Sequence, residues 1–386
     1  MNTVKQLFKR GMVFSLLSAI CWSCSMPEVE EGPDSSSGNP SGAKEVKMQV
    51  NLGFVGTEVT SRAIYDGVGT SGANNIGKVY VSLASFADGK YATYANSSVS
   101  ATYTAAEKEG GTSGELTWKA DKDIYLNNNK AVVFGYAPLE GSDALSGAPS
   151  ITDSDVTVAG LVIKASQTFD ATDVKRNTCD QTDYLFSTNS SVRATPVQDT
   201  VSKADRQTTL YMHHALAKVS FKVRKGKGQP AVDDNDFVKK IKLFSTAKDF
   251  PQGSGMTMSL VNGALSGGTT TDTLFFLAET GKGKQLAVYD ETDGFKNVAQ
   301  QVYGLVAPLT KEEKVMAMEL VIGPNDATTD KDRIYKTGNA QTKLKVNWER
   351  GKEYIYTVTI ADQVLDVNLV QIVDFESGGE EDFPVD

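Results

Sequence analysis

Two histidines and three cysteines in 386 residues leave little material for metal or nucleophile chemistry. Tetrahedral zinc sites draw their ligands largely from His and Cys, and Ser–His and Cys–His relays need a histidine beside the nucleophile, so most of these chemistries are excluded at once. A basic excess is also missing: 39 Lys and Arg stand against 48 Asp and Glu, a formal charge of −9. Duplex binding requires clustered cations that displace counterions from phosphates. No such cluster occurs, and nucleic acid is excluded as a partner. Nowhere is there an apolar run of the roughly 20 residues that span a bilayer, and helical periodicity is scarce. No cofactor is implied, and no catalytic residue is assigned.

What is present begins with residues 1–23, which carry Lys5, Lys9 and Arg10 without an acidic residue, followed by the apolar run 12–20. This reads as a secretory signal peptide. It ends in Cys21-Trp22-Ser23-Cys24, where a Cys after a small residue resembles the lipobox of bacterial lipoproteins, making Cys24 the expected site of acylation by palmitate. Cys21, preceded by Ile20, fits less well, and a plain cleaved signal without lipid is the alternative. Loss of residues 1–23 takes the charge from −9 to −12. Residues 24–43, rich in Ser, Gly and acidic side chains, have little to bury and read as a flexible tether.

From Lys44 the period is two. Val46, Met48, Val50, Leu52 and Phe54 alternate with Lys47, Gln49, Asn51 and Gly53, which gives one apolar strand face. The same reading covers Val79 and Val81, Ala215 to Val223 and Tyr354 to Ile360, while 131–136 is a continuous buried run. At roughly 100–200 residues per domain, the length suggests two. The expected fold is all-β, two antiparallel β-sandwiches spanning 44–207 and 208–386, separated by the polar segment 193–207.

The remaining motifs carry little chemistry. Gly-rich 109–114 and 281–284 lack the Gly-Lys-Ser/Thr continuation of a phosphate cradle and read as turns. Asp326, Asp330 and Asp332 fit no calcium-loop spacing. His213 and His214 are adjacent on a strand, so they point to opposite faces and cannot chelate one ion. Trp118 and Trp348 are expected in cores, and Cys179 is expected to be a packed thiol.

Tyr211-Met212-His213-His214-Ala215-Leu216-Ala217-Lys218-Val219, with Asp183-Tyr184-Leu185-Phe186, Trp118 and Val133 to Pro138, resembles the fimbrillin superfamily of Gram-negative lipoprotein pilins, the type V pilins. The resemblance implies two transthyretin-like sandwiches at the cell outer membrane, other fimbrial subunits as partners, and a trypsin-like protease that cuts after an Arg in an N-terminal loop. Arg62 is the first basic residue after strand 46–54, so the cut is expected at Arg62–Ala63. It would free Val46, Met48, Val50, Leu52 and Phe54 as a removable strand, leaving a groove that another chain could fill by β-augmentation. The C-terminal segment 365–375, with Leu365, Val367, Leu369, Val373 and Phe375, is the candidate donor strand; alternatively it is the last strand of its own domain. The implied function is a fimbrial subunit contributing to adhesion. The competing reading is a monomeric surface lipoprotein that binds glycan or host protein.

Overall fold

The structure, a computed structural model, describes residues 45–54, 67–70, 75–109, 116–172, 179–190, 197–226, 235–286, 300–337, 344–361 and 364–374. Among the described residues every regular element is a strand. A nine-stranded sheet runs in the order Gln49–Phe54, Gln207–His214, Leu185–Thr188, Ala131–Ala137, Lys78–Ala87, Ser100–Glu107 and Leu116–Ala120, with two short strands joined at its side. An eleven-stranded sheet runs from Ser166–Phe169 through Thr273–Ala278, Phe237–Phe244, Leu309–Gly323, Arg333–Thr337, Val364–Asp374, Lys352–Ala361 and Ala217–Lys225 to Gln300–Val306. A five-stranded sheet is built around Val156–Ile163 and Phe250–Ser259.

The burial pattern of Ala131–Ala137 explains why that run does not alternate. Ala131, Val133 and Ala137 enter one hydrophobic cluster, with Val79, Val81, Leu185, Leu210 and Met212. Val132, Phe134 and Tyr136 enter the other, with Phe186 and the apolar residues of the large sheet. Both faces of the strand are therefore dry, as in any strand sandwiched between two layers. Turn chemistry follows the sequence locally: Asp88-Gly89, with φ of 52° and 76°, makes the two-residue link between Lys78–Ala87 and Lys90–Thr93. Positive φ at both positions is what a type I′ hairpin requires.

Two cores thus form, in the all-β architecture expected from the alternation. They are interlocked. Val156–Ile163 pairs antiparallel with Phe250–Ser259, and Ser166–Phe169 pairs parallel with Thr273–Ala278, so two strands from the first 207 residues lie in sheets of the second half. Thr208 itself lies inside Gln207–His214, between the strands Gln49–Phe54 and Leu185–Thr188. The chain passes from the nine-stranded to the eleven-stranded sheet at Ala215–Leu216, and contacts tie Ala43–Asp386 into one unit.

The two ends of the eleven-stranded sheet meet through a side chain. Gln167, buried on Ser166–Phe169, donates its amide N–H to the carbonyl of Leu305 and accepts from the Leu305 N–H at 3.0 Å. One primary amide thereby supplies a donor and an acceptor to the otherwise open edge of Gln300–Val306.

Candidate assembly site

The N-terminal strand occupies a sheet edge. Val46–Lys47 pairs with Tyr125–Leu126, and after Met48 the chain changes partner, so that Gln49–Phe54 runs parallel to Gln207–His214 from Gln49 opposite Gln207 to Phe54 opposite Met212. Met48, Val50 and Leu52 are buried against Ile124, Leu126, Leu210 and Met212, while Val46 is half-buried. Alternation alone located this face. The fastenings that hold it were not legible: the Met48 N–H donates to Ile124 C=O at 2.9 Å, the Gln49 N–H to Arg206 C=O at 2.9 Å, Gln207 Nε2 to Gln49 Oε1 at 2.8 Å, and Lys47 pairs with Asp123 at 2.6 Å. Gly53 is the one sequence signal for a close approach. A Cβ there would stand 2.9 Å from the Tyr211 ring.

Beneath this edge lies the segment whose residues suggested the family. His213 Nε2 is 2.8 Å from Thr188 Oγ1 and 2.9 Å from Ser190 C=O, and His214 Nδ1 is 2.8 Å from Asp183 Oδ2. Both rings are buried and on opposite faces, as strand geometry dictates. The Ala215 N–H donates to Tyr184 C=O at 2.8 Å, and Leu216 C=O accepts from the Gly351 N–H at 2.6 Å. Lys218, also buried, lies 3.6 Å from Glu353 and 5.9 Å from the Tyr303 ring centre. The His-His-Ala-Leu-Ala-Lys phrase is a structural crossover, where the chain leaves one sheet for the other and both histidines and Lys218 have polar partners.

The candidate donor segment falls on Val364–Asp374. It pairs antiparallel with Lys352–Ala361 from Val364 opposite Ala361 to Asp374 opposite Lys352, and pairs parallel with Arg333–Thr337 at Val364 and Leu365. Leu365 and Val367 are buried in the core of their own lobe. Leu369 is 44% exposed and Ile372 47%. A register shift places Leu369 opposite Tyr356 and Ile372 opposite Tyr354, so Ile372 continues the face of Leu365, Val367 and Leu369, whereas Val373 stands opposite Glu353 in the alternate register. The extra residue is a β-bulge, and it accounts for the break in alternation at Gln371.

Cys24, Cys21, Arg62, Ala63, the Phe54 side chain and Phe375 lie outside the described residues. Trp348 is fully buried, stacked on Phe250, and donates to Tyr356 OH at 2.9 Å; Trp118 packs partly against the N-terminal cluster. Cys179 is buried, and burial pushes its thiol up to about 12, so it is not a nucleophile at neutral pH. Among the described residues no group of three His, Cys, Asp or Glu is arranged to hold a metal. Asp326 accepts hydrogen bonds from Thr328, and Asp332 pairs with Lys239 at 2.8 Å.

A family model described as fimbrillin-like matches residues 69–374. The chain belongs to this family. That span includes the Asp183 to Phe186 and Tyr211 to Val219 segments and ends at the last residue of the final strand. Among curated proteins none matches significantly. Solved structures similar to this fimbrillin-like chain include a fimbrial protein from Bacteroides vulgatus, 13% identical, TM-score 0.47, covering 86% of this chain and 100% of that one. Another, named as a candidate cell adhesion protein, comes from Bacteroides ovatus, with 17% identity, TM-score 0.46, and coverage of 87% and 99%. Family membership rests on the sequence match and not on these overlays.

Proposed function

We propose that this fimbrillin-like chain is a structural, non-catalytic subunit of a surface fimbria contributing to adhesion. In this reading it is anchored at the outer membrane through an acyl group on Cys24, licensed by a trypsin-like cut at Arg62–Ala63, and polymerised with other subunits by strand exchange. The observation that carries the reading is the position of Gln49–Phe54. Among the described residues it is an edge strand, hydrogen-bonded to a single neighbour, and it is followed closely by Arg62; with Met48 just before it, it contributes Val50 and Leu52 to the core. Leaving would uncover an apolar groove flanked by the unpaired edge of Gln207–His214, a surface suited to capture another strand.

The candidate donor 365–375 has an exposed apolar pair, Leu369 and Ile372, that a groove could receive, but it also holds Leu365 and Val367 in its own core. Donation therefore requires breaking the ladder with Lys352–Ala361. The test is to incubate purified lipid-free precursor with trypsin and look for ladders on unboiled gels and filaments by microscopy, with Arg62→Ala alongside. Filaments from native chain only are expected. Filaments formed equally by the uncut variant would remove Arg62 from the mechanism, and a cut chain that stays monomeric would favour the surface-lipoprotein alternative.

A further inference from the structure

The outward face of the eleven-stranded sheet departs from the chain's acidic balance. Ile241, Leu243, Leu274, Phe276, Met318, Leu320, Ile322 and Leu365 point into the core, so the residues between them point out. The pairings align Phe275, Lys242, Glu319, Lys336 and Val364 in one row across five strands, and Leu277, Lys240, Val321 and Ile334 in the next. Phe244 follows two residues after Lys242. Phe244 is 37% exposed, Ile334 57% and Val364 42%. Lys240 Nζ lies 5.9 Å from the Phe275 ring centre, and Lys242 Nζ lies 5.6 Å from that of Phe244 and 5.8 Å from that of Phe275. Of the carboxylates on this face, Glu319 is 3.3 Å from Lys336, and Asp366 is exposed two residues after Val364, against the three lysines Lys240, Lys242 and Lys336. The face thus combines a net positive charge with exposed apolar surface.

Its complement lies in the sequence after Asp374. The twelve residues Phe375 to Asp386 hold five acidic side chains and no basic one, and Glu380-Glu381-Asp382-Phe383-Pro384-Val385 sets carboxylates beside two apolar side chains. We propose that this face binds the segment Glu380 to Asp386 of a second copy of the chain.

The chain's own segment is poorly placed for this contact. Asp374 stands nine ladder steps from Val364, their partners being Lys352 and Ala361, about 30 Å at roughly 3.3 Å per residue. Lys242 is three strands aside from Val364, a further 14 Å or so at about 4.8 Å per strand, which puts it roughly 33 Å from Asp374. Glu380 to Asp382 are six to eight residues beyond Asp374 and extend at most about 20–29 Å, so an ion pair within one chain would need the tail and both side chains stretched to their limit. A second copy meets the face without that extension, and the contact is assigned between copies. Neither Arg62 nor the removable strand takes part, so the proposal stands apart from strand exchange.

The test titrates a fluorescein-labelled Ser377–Asp386 peptide with purified uncut chain and reads polarisation. Saturable binding is expected that weakens with salt, falls about tenfold or more for Lys240→Glu/Lys242→Glu, and falls for Ile334→Ser and for peptide carrying Phe383→Ser. Should the charge reversal lower the thermal midpoint, Lys240→Gln/Lys242→Gln is read in its place, with the same direction expected. No binding at low salt overturns the proposal, as does unchanged affinity in the lysine variants. Equal affinity for a scrambled peptide or for polygalacturonate would also overturn it, by showing a general anion surface. Markedly tighter peptide binding by a chain truncated after Asp374 would show that the chain's own tail occupies the face, and would overturn the assignment to a second copy.

Discussion

Single side chains replace backbone pairing where the sheets would otherwise gape, and Gln167 shows how narrow the tolerance is. A Cβ on Gly304 would stand 2.5 Å from Gln167 Oε1 and 2.6 Å from the Phe276 ring, so the glycine keeps open the space that the amide fills. Next to this closure, Asp170 accepts at its carbonyl from Tyr303 OH at 2.7 Å and at its carboxylate from Thr172 and from Lys282 at 2.9 Å. Burial by itself would raise the Asp170 carboxyl, but the hydrogen bonds from Thr172 and Lys282 outweigh it and hold the group below the ordinary value. A carboxyl depressed on folding contributes stability above its unfolded pKa of about 3.9, and that contribution is lost as pH falls through the folded value. Asp170→Asn should therefore lower the thermal midpoint at pH 6, and the gap to native chain should close as pH falls below about 4. A gap constant down to pH 2 would mean that the ionised carboxylate is not what matters.

At the scale of elements, several strands were legible because their apolar residues fall at every second position, whether or not the residues between them are wet. Residues 46–54, 215–223 and 354–360 were found that way, although Lys218, Ser220, Ile355 and Thr357 are buried too, and the unbroken run 131–136 was legible as buried. Which strands pair was not legible, because Gln207–His214 lies parallel to a strand about 158 positions earlier and Ser166–Phe169 parallel to one about 109 later. Polarity at 193–207 suggested a boundary, whereas the crossover is made by apolar Ala215–Leu216 under the histidine pair. At 365–375 the alternation visibly breaks at Gln371, but that the cause is a bulge at Val370 was not legible. It gives the last strand two parts with different energetics. Leu365→Ala removes a fully buried side chain and should cost about 2–5 kcal/mol, read as a lower denaturation midpoint of the monomer. Leu369→Asp alters a side chain nearly half exposed and should cost the monomer well under that, about 0.5–1 kcal/mol, while abolishing polymerisation if the segment is donated. A Leu369→Asp chain that polymerises normally after cleavage would place the donor elsewhere.

For the whole molecule the decisive comparison is between one strand and the total stability. Burying Met48, Val50 and Leu52 contributes about 1.5–3 kcal/mol each, roughly 5–9 kcal/mol together, against a typical total of about 5–15 kcal/mol. A lobe that lost this strand with nothing in its place would stand at the edge of unfolding, and its exposed ladder would aggregate. Cutting Arg62–Ala63 removes only covalent continuity and leaves the burial, the Gln49 to Gln207 contacts and the Lys47–Asp123 pair in place. The cut chain should therefore remain a two-piece complex, with the fragment ending at Arg62 co-eluting with Ala63–Asp386 at monomer size and released only by denaturant or by an incoming strand. Mass spectrometry of the eluted peak checks this directly. If the fragment separates at once in plain buffer while the remainder stays folded and monomeric, the strand carries little of the lobe's stability, and its removal cannot be what drives one subunit to capture another.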